Sequence, residues 1–167
     1  MTGRTLLVVL VALALAVGAG PVQAQVSTPN NGTGDSPLDT EPNDGFANAT
    51  AVGDGTYGGL TITEGDVDVY AVNVTAGQQL SARIEFESSV GDLDMVLVDP
   101  DRVVPLAVSD GIADNESITY VPRTNATYYV GVYGFANATG SYTLTVNGTA
   151  EDARDETAET PVFEPIG

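Results

Sequence analysis

The stretch Leu80-Ser81-Ala82-Arg83-Ile84-Glu85-Phe86 alternates apolar and polar side chains without a break. Successive side chains of a strand point to opposite faces. The segment therefore reads as a half-buried β-strand, with Leu80, Ala82, Ile84 and Phe86 toward a core and Ser81, Arg83 and Glu85 toward water. The same period of two recurs outward in both directions. Tyr70, Val72 and Val74 alternate with Ala71 and Asn73, and Leu93, Met95 and Leu97 with Asp94 and Val96. Tyr128, Val130 and Val132 alternate with Tyr129, Gly131 and Tyr133, and Tyr142, Leu144 and Val146 with Thr143 and Thr145. Turn formers separate these runs: Ala76-Gly77, Ser89 to Asp92, Asp99-Pro100-Asp101, Ser109-Asp110-Gly111 and Asn137 to Gly140. No long helical pattern interrupts them. The expected fold is all-β, an antiparallel, jelly-roll-like β-sandwich of seven to eight short strands, each sheet burying one face and wetting the other.

The ends of the chain have a different character. Met1 to Ala24 has the order of a secretory signal peptide: Arg4, an apolar run from Leu6 to Val17, and a small-x-small site at Val22-Gln23-Ala24. Residues 25–38 are rich in turn formers and read as a flexible spacer, and residues 149–167 as an acidic disordered tail. The sandwich is expected between them, over residues 39–148. Nothing beyond the leader is apolar enough to cross a membrane.

Composition excludes several functions. The chain has 23 acidic residues, five basic ones and a net charge of −18. All five basic residues are arginines, and every acid lies beyond the leader. Such a chain repels itself in dilute buffer and is relieved at molar salt, where the Debye length shrinks to about 3 Å. The profile is that of a halophilic exported protein, and it excludes nucleic acid and anionic membrane surfaces as partners. There is no histidine and no cysteine, which removes Ser-His-Asp triads, Cys-His dyads, the common zinc sites and disulfides. With so many acids, carboxylate pairs are inevitable and carry little catalytic meaning. No enzyme activity is expected.

Two acidic knots stand out, Glu41-Pro42-Asn43-Asp44 and Asp66-Val67-Asp68-Val69-Tyr70. Oxygen donors drawn from two segments are what a calcium ion requires, six to eight of them at about 2.3–2.6 Å. A halophilic surface supplies the same residues as solvated turns, so charge alone leaves both readings open. The order of motifs goes further. The Glu41/Asn43/Asp44 segment, the Asp66/Asp68/Tyr70 strand and the Ala76-Gly77-Gln78 turn come first. Gly91 to Pro100, the Tyr128 to Val132 strand and the closing Tyr142/Leu144/Val146 strand follow. Together they resemble the bacterial and archaeal pre-peptidase C-terminal domain, to which the collagen-binding domains of clostridial collagenases are similar.

That resemblance implies a non-catalytic β-sandwich of the kind appended to secreted hydrolases. It also implies a calcium site on Glu41, Asn43, Asp44, Asp66 and Asp68, with Asp39 at the place of a further acid in the binding relatives. The Asp92, Asp94, Asp99 and Asp101 cluster is, by the same resemblance, a structural turn and strand. In this sequence no peptidase or other catalytic domain precedes the module, a departure from the family's pattern.

Tyr129 and Tyr133 fall on the face opposite Tyr128, Val130 and Val132. They are read as candidate ligand-binding residues on an outer sheet face, the alternative being that they pack under a neighbouring loop. Seven of the nine asparagines, Asn31, Asn48, Asn73, Asn115, Asn125, Asn137 and Asn147, stand in N-x-S/T sequons and are candidate glycosylation sites. The expectation is a secreted, calcium-stabilised, N-glycosylated module that presents a sheet face to an extracellular polymer or protein. The alternatives are a structural cell-envelope glycoprotein or an accessory partner of a separately encoded peptidase. The sequence leaves the oligomeric state open.

Overall fold

The structure, a computed structural model, describes residues 41–150 apart from residues 90, 100, 102 and 103. The expected leader, the spacer, Asn31, Asp39 and the tail beyond Ala150 lie outside the described residues.

Nine strands form two stacked sheets: β1 (Thr50–Ala51), β2 (Gly55–Ile62), β3 (Val67–Val74), β4 (Leu80–Phe86), β5 (Leu93–Asp99), β6 (Val104–Ser109), β7 (Asn115–Tyr120), β8 (Ala126–Gly134) and β9 (Gly140–Asn147). The five-stranded sheet has the order β1-β3-β8-β5-β6, and the four-stranded sheet the order β2-β9-β4-β7. Every pairing is antiparallel except the two-residue β1–β3 contact, which is parallel. The all-β sandwich expected from the alternation is the fold observed, with nine strands where seven to eight were expected.

The core lies between the sheets. Leu60, Tyr70, Val72, Leu80, Ile84, Leu93, Leu97, Val130 and Leu144 interdigitate there with essentially no exposure. Each large aliphatic side chain removed from water contributes about 1.5–3 kcal/mol. In the four-stranded sheet the alternation holds as read, β4 burying every second residue.

The five-stranded sheet departs from the one-face expectation. β3, β5 and β8 are buried at consecutive positions, because the segment before β1 folds across their outer face. Phe46 and Ala49 pack there on Val69, Ala71, Val96, Val98, Tyr129 and Tyr133, making a second core. The leading segment is tied on through Val69 N–H donating to Asn43 O (3.1 Å) and Val52 N–H to Ala71 O (3.0 Å). At the other end of the chain, Thr149 is buried and donates from both N–H and hydroxyl to Asp54 Oδ1 at 2.8 Å. The folded body therefore reaches beyond residue 148, where composition placed the start of the tail.

Candidate metal centre at the edge of β3

Asp66 and Asp68 are two residues apart, and Asp68 shares its face of β3 with Tyr70. That face points into the sandwich. Asp68 sits where the core meets the end of the sheets, 1% exposed. Its Oδ2 accepts from the Tyr142 hydroxyl and from the Tyr70 hydroxyl at 3.4 Å, and the two hydroxyls are themselves 2.5 Å apart. Its Oδ1 is equally buried and has no hydrogen-bond partner among the described residues.

The leading segment delivers the other half of the site. Asn43 is 0% exposed. Its backbone is held on both sides, by Asn43 N–H donating to Glu41 Oε2 (3.2 Å) and by the bond from Val69. Neither polar atom of its side-chain amide makes a hydrogen bond of good geometry among the described residues, and the amide lies near the Asp68 carboxyl. Glu41, Asp66 and Asp68 each bring a carboxylate oxygen to within 4.8 Å of the others. Asp66 is oriented by the Thr63 N–H (3.0 Å to Oδ2). Above the group lies an open depression lined by Glu41, Asp44, Thr61, Thr63, Glu64 and Asp66.

Electrostatics mark the cluster as under-compensated. Burial pushes the Asp68 carboxyl up to about 7, opposed by the Tyr142 hydroxyl, with Asp66 and Glu41 raising it further and the nearby Asn43 amide easing it. Glu41 is raised mainly by partial burial, against the help of the Asn43 N–H. Asp44 is raised by desolvation and then by the adjacent Asp66. Leaving a buried polar group without a partner costs on the order of 1–3 kcal/mol, more for a charge. A cation would relieve the conflict, and the donors are all hard oxygens, the set calcium takes. The residues present thus fit the ion, which Glu41, Asn43, Asp66 and Asp68 would hold. Asp44 stands beside Asp66 but outside the group of three carboxylates whose oxygens converge.

The structure corrects the reading of the two tyrosines as ligand contacts. Tyr129 is 5% and Tyr133 2% exposed, under the leading segment, and the Tyr129 ring lies 4.4 Å from that of Phe46. They form the second core and are closed to a partner. Conversely, alternation assigned Tyr70 and Tyr142 to the core by their rings and missed their hydroxyls as the clamp on Asp68. The signal for Tyr70 was present in the Asp68-x-Tyr70 spacing, whereas Tyr142 arrives from the far end of the chain. Asn48, Asn73, Asn125, Asn137 and Asn147 are exposed and Asn115 is half-buried.

The chain is thus an all-β sandwich domain with an oxygen-donor cluster at one end. The family model of the bacterial pre-peptidase C-terminal domain matches residues 66–134. Among solved structures, it is similar to the pre-peptidase C-terminal domain of a collagenase from Bacillus anthracis, with 24% identity and a TM-score of 0.51 over 59% of this chain and 94% of that one. Lower similarities include a periplasmic inhibitor of g-type lysozyme from Aeromonas hydrophila (17% identity, TM-score 0.42, 52% of this chain and 81% of that one). The mitogen derived from Yersinia pseudotuberculosis is another (18%, 0.43, 60% and 89%). No curated protein matches the chain. Domains of the matched type are non-catalytic accessories of peptidases. No helix among the described residues is long and apolar enough to cross a membrane.

Proposed function

We propose that this protein is an exported, non-catalytic binding module in which calcium ties the leading segment to β3. Its exposed sequons carry N-glycans, and the sandwich offers a sheet face to an extracellular polymer or protein. The observation that carries the reading is the convergence of the Glu41, Asp66 and Asp68 carboxylates within 4.8 Å of one another, with the fully buried Asn43 amide near Asp68. When bound, the ion supplies positive charge to a cluster that otherwise repels itself. The residues do the rest: Tyr70 and Tyr142 orient Asp68, Thr63 orients Asp66, and the Asn43 backbone holds the segment in register with β3.

The testing experiment is thermal unfolding of the full chain in molar KCl, with calcium, with magnesium and with chelator. The unfolding midpoint is expected to rise with calcium alone, and the rise to vanish in Asp66→Ala. A midpoint indifferent to calcium in the parent protein overturns the metal reading.

A further inference from the structure

With the outer face of the five-stranded sheet covered by the leading segment, the outer face of the four-stranded sheet is the one that no segment among the described residues covers. It is paved with hydroxyls. Thr56 on β2 lies 3.2 Å from Thr145 on β9, hydroxyl to hydroxyl, and Thr145 is in register with Arg83 on β4 and through it with Ser117 on β7. Arg83 is neutralised in place by Glu85 at 2.8 Å.

At one end of this face the sheet is interrupted. The β2–β9 register shifts between Tyr57 and Leu60, leaving Gly58 and Gly59 where side chains would stand, and the space above Gly59 and Gly140 is open. The result is a groove of about 700 Å³ lined by Gly59, Glu85, Glu87, Thr139, Ser141 and Thr143, among others, a volume within the usual range for ligand sites.

The chemistry of the lining narrows the occupant. Glu87 and the Arg83-paired Glu85 line the groove, and a chain of net charge −18 repels anionic polymers. Protein interfaces favour exposed aromatic and apolar anchors. Here the lining aromatics Phe86 and Tyr142 are 8% and 3% exposed, and the exposed large apolar residues Val104, Val108, Ile112 and Val121 line no part of the groove. Hydroxyls that donate and accept, beside carboxylates that only accept, match a chain whose own groups are neutral hydroxyls.

We propose that this groove binds a neutral polysaccharide chain. The proposal rests on the reading of the protein as a binding module and names its face and ligand class.

The test is retention of the full chain, in molar KCl with calcium, on insoluble cellulose and on immobilised dextran and mannan, with alginate and poly-arginine as charged comparisons. Gly58→Gln sets a long side chain against Thr143, which lines the groove, without removing any of its groups. A Cβ there meets Thr143 Oγ1 at 3.7 Å, an ordinary contact. Thr143→Val removes one hydroxyl at constant shape. Retention on at least one neutral polymer, weakened about tenfold or more (~1.4 kcal/mol) in both variants at unchanged unfolding midpoint, is the expected result. Retention unaffected by either variant overturns the groove and leaves the module reading standing. Preference for alginate or poly-arginine, or self-association abolished by Gly58→Gln, overturns the ligand class in the same way. Retention on no polymer overturns the proposal and counts against polymer binding as the module's role, while the calcium experiment stands apart from it.

Discussion

Asp68 concentrates the conflict that this chain resolves at one position. Its carboxyl is buried among two tyrosine hydroxyls, an amide and two further acids, and without an ion it holds its proton up to about pH 7. An unfolded aspartate releases its proton near pH 4. Between these values the folded state binds more protons than the unfolded one, so stability falls as pH rises. Glu41 and Asp44, also raised, act in the same direction. In chelator and molar KCl the unfolding midpoint is therefore expected to fall as pH is raised from about 4 through 7. The fall should be shallower in Asp68→Asn. Calcium should oppose it, since the ion favours the ionised form, and calcium affinity should weaken below pH 7 as protons compete for Asp68. Calorimetry across this range measures both, and a slope unchanged in Asp68→Asn would remove the assignment to that residue.

Strand β8 shows how an element can read correctly and still mislead about function. Its alternation placed Tyr128, Val130 and Val132 inward, as they are. The opposite residues looked exposed only because nothing in β8 announces the segment that covers them. Phe46 and Ala49 lie some 80 residues earlier, and their packing on Tyr129 is a tertiary event. Tyr129→Ala should then cost about 3–5 kcal/mol by opening a cavity in the second core, read by chemical denaturation, while polysaccharide retention of the folded fraction stays unchanged.

The junction after β9 is equally demanding. Gly148 has φ +85, and a Cβ there would meet the Gln79 carbonyl oxygen at 2.0 Å. Gly148→Ala is expected to lower stability by about 1–3 kcal/mol or more. A midpoint equal to that of the parent protein would show that the junction relaxes freely.

Across the whole molecule, charge sets the conditions under which the fold persists. With 23 acids against five basic residues, and with the Arg83–Glu85 ion pair itself exposed, repulsion is distributed over the surface and screened by salt. Raising KCl from about 0.1 M, where the Debye length is about 10 Å, to about 1 M, where it is about 3 Å, should raise the unfolding midpoint steeply, with or without calcium. Scanning calorimetry in a salt series checks this. A flat response would mean that the acids are compensated locally.

The sequence by itself determined the fold class, the inward faces of β3, β4, β5, β8 and β9, and the acidic knots, because these rest on local periodicity and on residue order. Only the tertiary structure decided which sheet face remains open. That depended on where Phe46 and Ala49 come to rest, and strand alternation carries no information about a covering segment. The tertiary structure likewise brought Tyr142 to Asp68 across 74 residues and set Asp44 beside Asp66. It also turned the Gly58–Gly59 irregularity into a groove beside Glu85 and Thr143. Each of these is a contact between residues distant in the chain, fixed by the stacking of two sheets rather than by any local preference of the segments that meet there.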